Sequence, residues 1–157
     1  MTLIAAACLL AGLIAVPPFL VPVAGVTSSR FFIRNAPDDP RLFAFEHHTG
    51  LDIAAVIGTR VGASRSGRVV AVGTDAAYGR FVDIHHLLGW TTRYAHLSSV
   101  AVREGRFVVR GRKIGEVGMT GRATGPHLHF EIRVGRRALP PGTLLVFHQV
   151  RRALLGL

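Results

Sequence analysis

Between residues 50 and 135, apolar and β-branched side chains recur at every second position in short runs that glycines interrupt, and no stretch keeps a 3.6-residue period. A pleated strand turns successive side chains to opposite faces, whereas a helix brings every third or fourth residue to one side, so this texture argues for strands. The runs predict strands at 67–73, 81–87, 91–97, 106–109, 113–118 and 127–134. The expected architecture is all-β, an antiparallel β-sheet domain of hairpins or meanders. A chain of 157 residues that is 49% hydrophobic suits one packed domain and excludes a disordered tail protein.

The two ends read differently. Residues 3–27 carry no charged side chain, and the first charge after the N-terminus is Arg30. A helix over 2–16 would end at Pro17 and Pro18, which lack the amide donor and clash with the preceding turn. Such an N-terminal apolar helix rises only about 22 Å, short of a roughly 30 Å hydrocarbon core. Residues 1–21 therefore fit a signal peptide or a membrane anchor. At the other end, 144–157 could form a short helix, with 146–157 a short basic tail that includes Arg151 and Arg152. The formal net charge is +10, and Lys113 is the one lysine among nineteen basic residues. That balance points to an anionic partner or surface, or to a solvated basic face. Nucleic acid is not expected, because no basic helix or aromatic platform for stacked bases is evident.

The single cysteine, Cys8, rules out an internal disulfide, a cysteine zinc cluster and a CxxC redox pair, so any metal must be held by histidine and carboxylate. Six of the eight histidines fall in the pairs His47/His48, His85/His86 and His127/His129. On a strand, His127 and His129 point to one face while Leu128, Phe130 and Ile132 point to the core. Alone, a His-x-His reads as two exposed strand histidines. A second cluster changes that reading: His48-Thr49-Gly50-Leu51-Asp52 places an imidazole and a carboxylate four apart across a turn that enters a strand, with Gly50 allowing the backbone to turn. Two nitrogens and one carboxylate oxygen form a three-ligand set, and tetrahedral zinc so held keeps a fourth position open, as catalytic sites do.

The ordered series Phe31-Phe32-Ile33-Arg34, His48-Thr49-Gly50-Leu51-Asp52, Ser66-Gly67-Arg68-Val69, Tyr78-Gly79, His86, Tyr94-Ala95-His96-Leu97, Gly115-Glu116-Val117-Gly118-Met119-Thr120-Gly121 and Gly125-Pro126-His127-Leu128-His129-Phe130-Glu131 closely resembles the M23 family of zinc metallopeptidases, the lysostaphin-type cell-wall endopeptidases. The resemblance covers residues 22 to 145. It implies a β-sheet domain with a narrow groove floored by one zinc ion per chain, with His48, Asp52 and His129 as ligands and His96 and His127 as catalytic histidines. The implied substrate is a peptide bond in a stem or cross-bridge of peptidoglycan. The implied location is the cell envelope, secreted, periplasmic or membrane-anchored with the domain outside the cytoplasm. The anionic partners of the basic surface would then be envelope polymers or lipids. The alternative is a non-hydrolytic module of the same fold that binds cell wall or activates another hydrolase.

His47 is expected to point away from the metal, because neighbours on a strand or turn diverge. His86 matches a position where the family often has a histidine, and a hydrogen-bonding, non-ligand role is expected of it. Glu131 shares the face of His127 and His129, so it either orients an imidazole or balances a nearby arginine. Two departures stand out. Phe32 replaces the glycine that the family usually has after its first Phe. Leu42, Phe43 and Phe45 occupy the stretch where some members carry a tyrosine ahead of the first ligand.

Overall fold

The computed structural model describes residues 19–35 and 45–146. Its strands in chain order are β1 (Phe19–Leu20), β2 (Val26–Ser29), β3 (Phe32–Asn35), β4 (Phe45–His48), β5 (Leu51–Ala54), β6 (Arg60–Gly62), β7 (Gly67–Asp75), β8 (Gly79–His85), β9 (Trp90–Val100), β10 (Phe107–Val108), β11 (Lys113–Val117), β12 (His127–Val134), β13 (Arg137–Leu139) and β14 (Leu145–Val146). Helix is confined to a 3₁₀ turn at Leu87–Gly89 and one helical turn at Pro141–Leu144. Among the described residues no helix is long and apolar enough to cross a membrane. The expected helix over 2–16 lies outside the described residues.

All six strands expected from the alternating runs are present, and the main sheet is antiparallel in the order β10-β7-β8-β9-β12-β5-β2, with β11 between β6 and β9. β9 and β12 run through the middle. Every second residue of β12, Leu128, Phe130 and Ile132, is fully buried with Tyr94, Leu97, Val82, Ile84 and Ile114 in one core. Each such side chain contributes about 1.5–3 kcal/mol by leaving water. The other face of β12 is covered as well, since His129 and Glu131 are buried, and that face carries the chemistry.

Two features mark the ends of the described residues. Residues 145 and 146 are not helical: β14 pairs in parallel with β1, and Leu145 and Phe19 are both buried in the core. The packed core accordingly includes Phe19. An apolar residue at the end of an apolar segment gives no local sign that its side chain belongs to the core. The rest of the basic tail lies outside the described residues.

A polar network crosses the core beside Phe19. The Ser64 amide donates to the hydroxyl of fully buried Tyr94 at 2.8 Å, and Tyr94 lies 3.0 Å from both the Ser64 and Thr92 hydroxyls. Thr92 in turn is 2.8 Å from His86 Nε2, and His86 Nδ1–H donates to the Ser66 carbonyl at 3.0 Å. Burial, helped by the charges of Arg65 and His85 and opposed by the Ser66 carbonyl, pushes His86 down to about 4. The fold holds it as neutral imidazole. The unfolded chain binds a proton near the ordinary histidine value, so His86 contributes stability that is whole above about pH 6.5 and is lost as pH falls toward 4. Chemical denaturation at pH 7 and 4.5 checks this: the wild type is expected to lose about 2 kcal/mol more on acidification than His86→Gln.

Candidate metal centre

His48 closes β4, Thr49 and Gly50 make the turn, and Asp52 stands in β5. β5 pairs antiparallel with β12 so that Asp52 is the direct partner of His129. Three residues separated by as many as 81 positions thus meet. His48 Nε2 lies 3.1 Å from Asp52 Oδ1 and 3.2 Å from His129 Nδ1, and His129 Nδ1 lies 2.7 Å from Asp52 Oδ1. Each of the three residues is at most 5% exposed, and one ligand atom from each falls within 4.8 Å of the others. Gly50 is needed here for space. A Cβ on it would stand 2.7 Å from the His129 ring, so the turn leaves room for the imidazole that faces it.

The outer nitrogens fix what the inner ones can do. His48 Nδ1–H donates to the Arg30 carbonyl at 2.7 Å, and His129 Nε2–H donates to Glu131 Oε1 at 2.9 Å. A neutral imidazole carries one proton. With that proton spent outward, His48 Nε2, His129 Nδ1 and Asp52 Oδ1 turn three lone pairs on one point. Such a set is satisfied by a cation, and the donor chemistry of two imidazoles and one carboxylate suits a divalent metal. The electrostatics agree. Burial alone would raise Asp52, but hydrogen bonds and charge from His129 and His48 hold its carboxyl well below the usual range. Burial alone would lower His129, but Asp52 and Glu131 on its two sides raise it. A proton on His129 Nδ1 is the substitute for a metal ion, and the two compete.

Glu131 is fully buried and does both things expected of it in the alternative. Its Oε1 accepts from His129, from Thr49 Oγ1 at 2.5 Å and from Tyr78 OH at 3.0 Å, while Oε2 accepts from Arg133 Nε at 2.5 Å. Burial opposes its ionisation, yet the His129 bond and charge, Thr49 and Arg133 bring it down to about 2. Thr49 and Tyr78 went unassigned in the sequence. Both sit inside quoted motifs, but only proximity in space reveals that they hold Glu131.

His96 and His127 flank the ligand set. Their ring centroids are 4.6 Å apart, the His96 ring is 5.9 Å from that of His129, and His127 Nε2 is 3.7 Å from Asp52 Oδ1. Each gives its Nδ1–H to a carbonyl at 2.8 Å, His96 to Thr120 and His127 to Gly125, which leaves both Nε2 atoms for proton chemistry. His96 sits in β9 where its register with β8 shifts, with φ +60 and its amide bonded to the Tyr78 carbonyl at 2.8 Å. A bulge of this kind re-aims a side chain at a local cost of about 1–2 kcal/mol. Burial, with help from His127 and His129 and against the Thr120 carbonyl, pushes His96 down to about 4. It is a neutral base at neutral pH. His86, by contrast, is not brought to the metal ligands: both its nitrogens are taken by Ser66 and Thr92. The side chains of His47 and Phe45, and all of Leu42 and Phe43, lie outside the described residues.

The model of peptidase family M23 matches residues 46–141. Over 102 residues the chain is 46% identical to the DD-carboxypeptidase/endopeptidase Mpg of Neisseria meningitidis, covering 65% of this chain and 24% of that protein. It thus spans about a quarter of the length of the curated relatives it matches. Among solved structures, a zinc-containing peptidase from Vibrio cholerae is 34% identical with a TM-score of 0.70, over 79% of this chain and 39% of that one. The catalytic domain of lysostaphin from Staphylococcus simulans is 30% identical with a TM-score of 0.63, over 73% of this chain and 90% of that domain. Because one family pattern takes in the ligand turn, the bulged strand and the late His-x-His strand together, the chain belongs to peptidase family M23.

Proposed function

We propose that the chain is a zinc-dependent endopeptidase that hydrolyses peptide bonds in the stem peptides or cross-bridges of peptidoglycan, acting in the cell envelope outside the cytoplasm. The observation that carries this reading is the convergence of His48 Nε2, Asp52 Oδ1 and His129 Nδ1 beside two further imidazoles. The name of a 47% identical relative, the peptidoglycan DD-endopeptidase ShyA of Vibrio cholerae, matched over 57% of this chain and 21% of that protein, supports the substrate class.

His48, Asp52 and His129 would hold the ion. When bound, zinc supplies Lewis acidity that polarises a peptide carbonyl and lets water act as a nucleophile near neutral pH. His96 Nε2 takes the proton of the attacking water and returns it to the departing amine. Its low proton affinity keeps it free to accept, and the Thr120 carbonyl keeps its ring in place. His127, whose Nδ1–H is spent on the Gly125 carbonyl, stands as donor toward the oxygen that gains negative charge when its Nε2 also carries a proton. Glu131 touches neither water nor substrate. It fixes the tautomer and angle of His129 and is itself fixed by Thr49, Tyr78 and Arg133.

Three measurements test this. Elemental analysis is expected to find about one zinc per chain in the wild type and almost none in His129→Ala. Titration of metal-free protein with zinc in buffers of differing ionisation enthalpy is expected to show proton release, which shrinks as pH rises and His129 deprotonates beforehand. Peptidoglycan incubated with the protein is expected to gain new amino termini, detected by mass spectrometry, that disappear with chelator. His96→Ala should keep its zinc and lose about 10²- to 10⁴-fold in turnover. New reducing sugar ends, or a His96→Ala variant that loses its metal, would refute the assignment.

A further inference from the structure

At the far end of the sheet from the metal centre, a cavity of about 880 Å³ opens beside the start of β7, the end of β8 and the Leu87–Gly89 turn. Its lining includes Arg65, Arg68 and Arg110 and no carboxylate. Along β9, Thr91, the partner of His85, and Ala95, the partner of His129, stand four positions apart, a distance of about 13 Å. No metal ligand lines this cavity, so the inference stands apart from the peptidase reading.

Arg65 is the unusual member. It is only 8% exposed, and its Nη1 is buried without a hydrogen-bond partner. The guanidinium lies 5.5 Å from the Phe19 ring centroid, a contact that does not satisfy an N–H. A buried N–H donor without a partner is costly, and desolvation also lowers the group's hold on the proton. The fork geometry of guanidinium matches phosphate or carboxylate oxygens, two N–H groups to one anion. Arg68 and Arg110 are exposed on the same wall and add charge at the mouth.

The rim is apolar. Leu87, Leu88 and Phe107 are 75%, 61% and 59% exposed. Leu88 is held at φ +62, a left-handed conformation that leucine rarely adopts. A free inorganic anion would satisfy the arginines and leave these side chains unexplained. An amphiphile with a phosphate head and hydrocarbon tails satisfies both.

We propose that this cavity binds the phosphate headgroup of an anionic phospholipid, with Arg65 as the buried contact, Arg68 and Arg110 at the mouth, and Leu87, Leu88 and Phe107 against the acyl chains. The full chain is titrated calorimetrically with dihexanoyl-phosphatidylglycerol below its micelle concentration, with the phosphatidylcholine analogue, and with inorganic phosphate. Each is read as the difference between wild type and variant, which cancels binding elsewhere on the chain. Arg65→Met keeps the apolar stem and removes the unpaired charge. It is expected to weaken phosphatidylglycerol binding at least tenfold, and Arg110→Gln, on the exposed wall, about threefold. The double change Leu87→Gln, Leu88→Gln should weaken lipid binding while leaving inorganic phosphate unaffected. Equal phosphatidylglycerol affinity in wild type and Arg65→Met would overturn the site. A wild type that binds phosphatidylcholine as well as phosphatidylglycerol, or inorganic phosphate as tightly as the lipid, would overturn the headgroup assignment.

Discussion

The antiparallel register between β5 and β12 is the constraint from which the rest of the site follows. Pairing Asp52 directly with His129 sets a carboxylate and an imidazole side by side on a buried face, and the two-residue turn before β5 then delivers His48 to the same point. A slip of one residue would send Asp52 and His129 to opposite faces. The slip is prevented by the other half of the alternation, because Leu51 and Ile53 and, across from them, Leu128 and Phe130 are buried in the core. Hydrophobic packing on one face therefore supplies the positional accuracy of the polar face. The cost of bringing acceptors together without a proton between them is offset only when a cation joins them.

One device recurs around this frame. His48, His86, His96 and His127 each give Nδ1–H to a backbone carbonyl, of Arg30, Ser66, Thr120 and Gly125 respectively. Each ring is thereby fixed in one tautomer with Nε2 presented elsewhere. At His48 the free nitrogen faces Asp52 and His129, at His86 it meets a core hydroxyl, and at His96 and His127 it is left beside that cluster. His129 is the inverse case: its Nε2 is tied down and Nδ1 faces the ligands, because its partner is the carboxylate two residues along the same strand rather than a main-chain carbonyl. The same residue type can present a ligand atom, a free base or a core contact according to what its second nitrogen meets.

The long central strands were legible in the sequence from periodicity, and the meeting of His48, Asp52 and His129 from motifs of fixed spacing, whereas His96 entered only through the family resemblance. Strands of two to four residues, such as β1, β2, β6 and β13, are too short for alternation to show. Gly50 was expected to serve the turn, and the structure gives it a different reason, the ring of His129 across the sheet. The donors on Glu131 were hidden for the same cause: Thr49 and Tyr78 lie 82 and 53 residues away from it in the chain. Nor does spacing reveal that His96 leaves regular strand geometry, since a bulge depends on pairing with β8. What the sequence displays is which face a residue takes, and what it conceals is which partner waits there.

Among the described residues two non-glycine positions have positive φ, His96 and Leu88, and they differ instructively. His96 is buried and over-determined: its amide is bonded to the Tyr78 carbonyl, its ring to the Thr120 carbonyl, and Gly118 packs so closely that a Cβ there would meet the His96 carbonyl at 2.8 Å. Strain held by that many contacts is compatible with a fixed catalytic group. Leu88 has no comparable enclosure, and its side chain stands in solvent between Leu87 and Gly89, itself at φ +77. The main-chain bond from the His86 amide to the Trp90 carbonyl closes the turn across it at 2.7 Å. Backbone closure thus forces an apolar side chain outward that burial would otherwise draw in. The turn sits next to the arginine cavity, so the conformation that costs energy in water is the one that displays hydrocarbon beside positive charge.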